Sequence, residues 1–167
     1  MSIATKPATA QAITRAARDK VMVAEFPCRI SFNGDGTYRP SPDGEQASAL
    51  PVYDRLDRLV DLVAWLPDRP TVWYFRHGDE ISILGSRGLA VAKYFGDAIK
   101  LYATPHRWLL AGGDGAVILN WDVDHRDLFD GIARVECDCP ALETRFRDSL
   151  RRWEPLLTSA RGIRHAA

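Results

Sequence analysis

The chain has 167 residues, 46% hydrophobic and 26% charged, the size and make-up of one globular domain with a real core. Its 22 basic and 22 acidic residues cancel, so no overall field draws it to nucleic acid or to an anionic membrane. Three cysteines (Cys28, Cys137, Cys139) without framework spacing argue against a disulfide-stapled secreted domain.

The first twenty residues lack the apolar core of a signal peptide, and no apolar run approaches the roughly 20 residues that span a bilayer. The cytoplasm is the expected location, with no membrane partner. A net charge near zero also removes the repulsion that opposes self-association, which leaves a homo-oligomer open.

Residues 1–7 read as a flexible arm, and 8–20 as an alanine-rich, weakly amphipathic helix. Cys28 to Phe32 alternates as a half-buried strand does, and Asn33-Gly34-Asp35-Gly36 is turn chemistry. Thr37 and Tyr38 begin a returning strand that Pro40 cuts short, and Arg39 to Ser48 reads as a surface loop. Residues 49–66 carry both helical spacing and β-branched content; the preferred reading is two strands with a turn near Arg55 to Arg58. Pro67 to Pro70 ends that segment.

Thr71 to Arg76 is a strand, Gly78-Asp79 a turn, and Glu80 to Leu84 its expected hairpin partner. Ser86 is the expected cap of a helix from Arg87 to Phe95, with Gly96 as its stop. Ala98 to Tyr102 reads as a strand.

The most legible stretch is Thr104 to Trp121, TPHRWLLAGGDGAVILNW. Thr104 can cap a short helix with Pro105 in its first position. Gly112 and Gly113 can end it, Asp114-Gly115 can turn, and Ala116 to Leu119 can form a strand covered on both faces. Val123 to Phe129 follows as a short helix capped by Asp122, and Ile132 to Glu136 as a short strand. A final helix starts at Asp138 and Pro140 with Leu142, Phe146, Leu150, Trp153 and Leu157 as its apolar stripe. The expected architecture is a single α+β domain over 8–158, with antiparallel hairpins in the N-terminal half and alternating helix and strand in the C-terminal half. One mixed sheet flanked by helices would hold both halves, and 159–167 would be a flexible basic tail.

Candidate chemistry gathers after the apolar strand, in Trp121-Asp122-Val123-Asp124-His125-Arg126-Asp127. In extended chain Asp122 and Asp124 share a side and with His125 offer a site for Mg²⁺ or Mn²⁺, the basis of a metal-dependent hydrolase reading. The competing reading makes the same carboxylates a helix cap and first-turn complement to the helix dipole. Cys137-Asp138-Cys139 near His125 invites zinc, but one intervening residue is tight for paired ligands and there is no second cysteine pair. Cys137 or Cys139 with His106 or His125 is arithmetically possible as a nucleophile and base, but nothing places them together and no G-x-S-x-G motif is present. The glycine loops lack the lysine and hydroxyl residue of a phosphate loop. No cofactor is expected.

The last helix and tail hold Arg145, Arg147, Arg151, Arg152, Arg161 and Arg164, offset in part by Glu143, Asp148 and Glu154. A strip centred on Arg147, Arg151 and Arg152 is the expected nucleic-acid contact if there is one, with Trp73 and Tyr74 available for stacking; the competing reading is a solvated helix face.

Residues 42–65 (PDGEQASALPVYDRLDRLVDLVAW), 71–85 and 104–121 resemble uncharacterised proteins of alphaproteobacterial prophages and other mobile elements. The resemblance implies a bacterial or phage origin and brings no catalytic residues with it. Together these readings lead to a non-enzymatic accessory or interaction protein, with the nucleic-acid module and the metal-dependent hydrolase as alternatives.

Overall fold

The computed structural model describes residues 25–78 and 82–152. The expected arm, the alanine-rich helix, and Trp153, Leu157 and the basic tail lie outside the described residues.

Nine strands and four helices are described: β1 (Phe26–Phe32), β2 (Tyr38–Pro40), β3 (Glu45–Tyr53), β4 (Leu59–Leu66), β5 (Arg69–Phe75), β6 (Ile83–Leu84), α1 (Ser86–Phe95), β7 (Ala98–Leu101), α2 (Pro105–Leu110), β8 (Val117–Ile118), α3 (Arg126–Phe129), β9 (Arg134–Cys137) and α4 (Pro140–Arg152). The class is α+β, and the hairpin reading of 49–66 holds: β3 and β4 pair antiparallel around the turn at 54–58.

The single mixed sheet does not form. Strands β2-β1-β3-β4-β5 make an antiparallel sheet, while β6-β8 and β7-β9 are separate ribbons. The ribbons meet through the parallel bridge Leu101↔Ala116, closed by Tyr102 N–H to Ala116 O (2.9 Å) and Ala116 N–H to Lys100 O (2.9 Å). Strands β6, β8, β7 and β9 therefore lie side by side, with β7 and β9 parallel.

Layering follows from side-chain alternation. One face of the large sheet buries Leu50, Val52, Val63 and Trp65 against Leu84, Val117 and Leu119 of the small strands, with Tyr102 and Trp108. The opposite face of the small strands, Ile83, Ile99, Leu101, Ala116 and Ile118, packs on Leu89, Ala92, Phe129, Leu142 and Phe146 from α1, α3 and α4. The large sheet's far face buries Ile30, Tyr38, Ala47, Ala49, Ala64 and Leu66. The order is sheet, small strands, helices.

Several local expectations are corrected. The loop after Pro40 is short, because β3 begins at Glu45. Pro70 lies inside β5, which tolerates it as an outer strand with no partner to receive an N–H. Of the expected β5–β6 hairpin, residues 79–81 lie outside the described residues, and the described Ile83 and Leu84 pair with Ile118 and Val117 rather than with β5. Gly85, at φ 85°, occupies the cap of α1, and the Ser86 hydroxyl donates to Tyr53 O (2.7 Å). A Cβ at Gly85 would sit 2.2 Å from Gly115 O, so the position admits glycine alone.

In the unit at 104–121 the capped helix and glycine turn form as read, while the strand is shorter than expected, Val117–Ile118, with Ala116 in an isolated bridge. Thr104 Oγ1 accepts from Arg107 N–H (3.1 Å), and Gly112 and Gly113 take φ of 78° and 76°. Ala116 to Leu119 is buried throughout. Among the described residues no helix is long and apolar enough to cross a membrane.

Candidate functional site

An open groove of about 700 Å³ runs between β5 and the chain that leaves β8. One wall is Thr71, Val72, Trp73 and Phe75; the other is Leu119 to Asp122, with Arg145 reaching in from α4 and the Asp35–Thr37 turn and His77-Gly78 at the rim.

The first wall follows from strand geometry. β5 is an outer strand. Arg76 N–H donates to Leu62 O on β4 (2.9 Å), whereas Phe75 N–H turns the other way, to Gly36 O (3.2 Å). Alternation then directs the N–H and C=O of Trp73 toward the groove as well. Opposite, Trp73 Nε1–H donates to Leu119 O (3.3 Å) and ties the floor together. The Arg145 guanidinium lies 4.3 Å over the Trp121 ring, a stack that presents a flat charged plate.

At the rim, Asp35 accepts from Thr37 N–H (2.9 Å) and Thr37 Oγ1–H (2.6 Å), which hold its carboxyl below the usual carboxylate range. Asp122 stays exposed, 3.6 Å from Arg152 Nη1. His77 is placed by Asp61, whose side chain is wholly buried in the otherwise apolar β4. Asp61 accepts from the N–H of Leu62 (2.7 Å), His77 (3.1 Å) and Gly78 (3.0 Å), and lies 3.3 Å from His77 Nδ1. One buried carboxylate thus orders the whole 76–78 turn. With Arg145 set against Asp35 and Asp122, the groove has mixed charge, aromatic faces and a strand edge, which suits backbone amides better than a strongly anionic ligand.

The predicted metal set does not assemble. Asp124 is clamped by its neighbour Arg126, with Nη2 at 2.6 Å from Oδ2 and Nε at 3.1 Å from Oδ1, and these bonds lower its pKa. Asp122 is exposed beside Arg152, and His125 is 1% exposed. Its ring lies behind Trp121 (6.2 Å), and burial pushes its pKa down. Nor does Asp122 cap α3: the helix starts at Arg126, whose N–H is taken by Asp124 Oδ1 (3.0 Å). Among the described residues no three of His, Cys, Asp and Glu are grouped to hold a metal, which also removes Cys137 and Cys139 with His125 as a zinc set. His106 sits by Trp65 (6.1 Å).

In the arginine strip, Arg147 pairs with Glu143 (2.6 Å), Arg151 approaches Asp148 (3.9 Å) and Arg152 approaches Asp122 (3.6 Å). Each cation faces a carboxylate, so the local field is weaker than the residue count suggests. Sequence reasoning overlooked Asp61 and the wall role of Trp121. An aspartate inside LVDLVAW was the available signal, because a carboxylate in a buried strand must be answered by donors.

Comparison with protein-family models, with curated proteins and with solved structures gave no match to this chain.

Proposed function

We propose that this protein is a non-enzymatic accessory protein that holds an extended segment of a partner polypeptide along the outer edge of β5. What supports this reading is the outer edge of β5: Phe75 is bridged to Thr37 on that side, and alternation turns the backbone N–H and C=O of Trp73 the same way, with no strand paired to them among the described residues. An extended peptide added there continues the ladder, and its alternate side chains meet Trp121 with its stacked Arg145 on one side and exposed Val72 on the other. The volume lies within the range of ligand sites of about 300–1,000 Å³. The resemblance to mobile-element proteins supports a bacterial host or phage protein as the partner. The arginine strip carries the alternative, a nucleic-acid module, less well, since its guanidiniums already face carboxylates.

Selection from a random library of displayed peptides tests the proposal. Binders should emerge that lose affinity when one backbone amide is N-methylated and when Trp73 becomes Pro. A library that yields no binder, or binders indifferent to both changes, removes the reading.

A further inference from the structure

We propose that the groove selects an acidic peptide: one aspartate or glutamate of the bound segment, paired beside Trp73, sets its carboxylate on the Arg145 guanidinium. This inference rests on the peptide reading above and names the chemistry of the partner.

Arg145 is the groove's unanswered charge. Elsewhere on α4 the cations are matched, Arg147 by Glu143 (2.6 Å) and Arg151 by Asp148 (3.9 Å). Asp148 also lies one helical turn from Arg145, yet the ion pair it makes is with Arg151. Ala141 and Ser149, four residues to either side of Arg145, bring no charge. The acids of the groove are engaged as well. Asp35 accepts from Thr37 N–H (2.9 Å) and Thr37 Oγ1–H (2.6 Å), and Asp122 lies 3.6 Å from Arg152 Nη1. Among the described residues no carboxylate forms an ion pair with Arg145; its guanidinium rests on the Trp121 ring at 4.3 Å.

That stack decides which anion fits. One face of the guanidinium lies on the indole, which fixes the plane and leaves its N–H edge for hydrogen bonds. Two parallel N–H donors on such an edge match the two oxygens of a carboxylate. Because the side chain is held before the peptide arrives, less rotamer freedom is lost on binding. A single carboxylate balances the charge. A polyanion would bring its further phosphates against Asp35 and Asp122 in the same groove.

Strand geometry places the acid. Trp73 and Phe75 turn their side chains into the layer that holds Leu50, Val63 and Trp65. A residue directly opposite on an added strand points to the same face as its partner. The peptide residue beside Trp73 therefore points toward the wall of Leu119 to Asp122, where Arg145 lies, and its two neighbours point the other way. The edge at Phe75 is already taken by the 36–37 turn, through Phe75 N–H to Gly36 O (3.2 Å), so the segment stops short of it. One acidic position is expected, not a general preference for negative charge.

Parallel selections from one random library of displayed peptides, on the full chain and on Arg145→Gln, test the proposal. Wild-type binders should share Asp or Glu at one position, with no acidic preference at the positions beside it, and Arg145→Gln binders should lack that acid. In synthetic peptides with amidated C-termini, replacing the acid by its amide should weaken binding to the wild type about tenfold and leave binding to Arg145→Gln unchanged. Arg145→Glu should accept lysine at the same position. The wild-type measurement depends on no variant, and thermal melts show that each variant is folded. Backbone N-methylation and Trp73→Pro report on the strand edge separately. Binders that respond to both of those but are indifferent to the acid leave the peptide reading standing and overturn this one. So would an acid dependence equal in wild type and Arg145→Gln, binding lost on amidation of the C-terminus, or displacement of the peptide by an equimolar single-stranded oligonucleotide. A library without binders removes both readings.

Discussion

Replacing Asp61 by alanine isolates the residue that orders the groove rim. The residue is 3% exposed, and its carboxylate accepts from the backbone N–H groups of Leu62, His77 and Gly78, with His77 Nδ1 as a fourth neighbour. Removing it strands three amides. An orphaned buried donor costs about 1–3 kcal/mol, and water reaches the exposed His77 side, so the lower figure applies to each and the total is about 3 kcal/mol. Asp61→Asn keeps an acceptor for Leu62 and His77 but turns an amide N–H₂ toward Gly78 N–H, which predicts about half that loss. Urea unfolding followed by tryptophan fluorescence reads the difference. With a slope of about 2 kcal/mol/M, the alanine variant should unfold about 1.5 M earlier at unchanged slope, and the asparagine variant between it and the wild type. If both variants unfold within about 0.5 kcal/mol of the wild type, Asp61 does not organise this turn and the account of the rim fails.

Other substitutions probe other layers. Gly115→Ala should cost about 3 kcal/mol or more, because φ is 95° and the new Cβ would lie 2.3 Å from Lys100 O; failure to lower the melting temperature would contradict that contact. Thr104→Ala should cost about 1 kcal/mol through the lost bond to Arg107 N–H, seen as a melting point roughly 2–4 °C lower. For His125 the folded state disfavours the charged ring, so the unfolded chain takes up a proton that the folded chain refuses. Stability should be complete above about pH 6.5 and decline as pH falls below it, and His125→Leu should flatten that limb of the urea midpoint between about pH 7 and pH 5.

What could be read in advance was local. Thr104, Pro105 and the Gly112-Gly113 pair determine their own turn through caps and left-handed backbone, so the capped helix and glycine turn came through intact. Strand partners are another matter. The alternation around Ile83 announces a strand, but nothing within five residues says that Val117 and Ile118, rather than Trp73, will receive its hydrogen bonds. The start of β3 was hidden because Ala47 and Ala49 are buried under larger neighbours, and small side chains make a weak hydrophobic signal. At Asp124 the competitor was adjacent: Arg126 captured the carboxylate and shortened the helix to four residues. The groove draws on 35–37, 71–78, 119–122 and Arg145, four stretches with no spacing rule between them. Asp61 alone carried a readable hint of it.

The groove is a consequence of unequal strands. β5 has seven residues and β8 only two, so the small strands cannot cover the whole width of the large sheet. Trp65 and Val63, farther in, are sealed by Leu84, Val117 and Leu119. Beyond Leu119 the chain leaves the layer through Asn120 and Trp121, while β5 continues with Trp73 only half-buried and Val72 44% exposed. The Trp73 indole bond to Leu119 O marks where covered sheet gives way to open sheet. Residues on the open side, Thr71 and Val72, contribute little buried area to the fold, whereas those just inside hold the layers together. If the proposed peptide binding holds, recognition and stability fall to neighbouring but separate residues, and substitutions at Val72, which is 44% exposed, should change peptide affinity at little cost to the core.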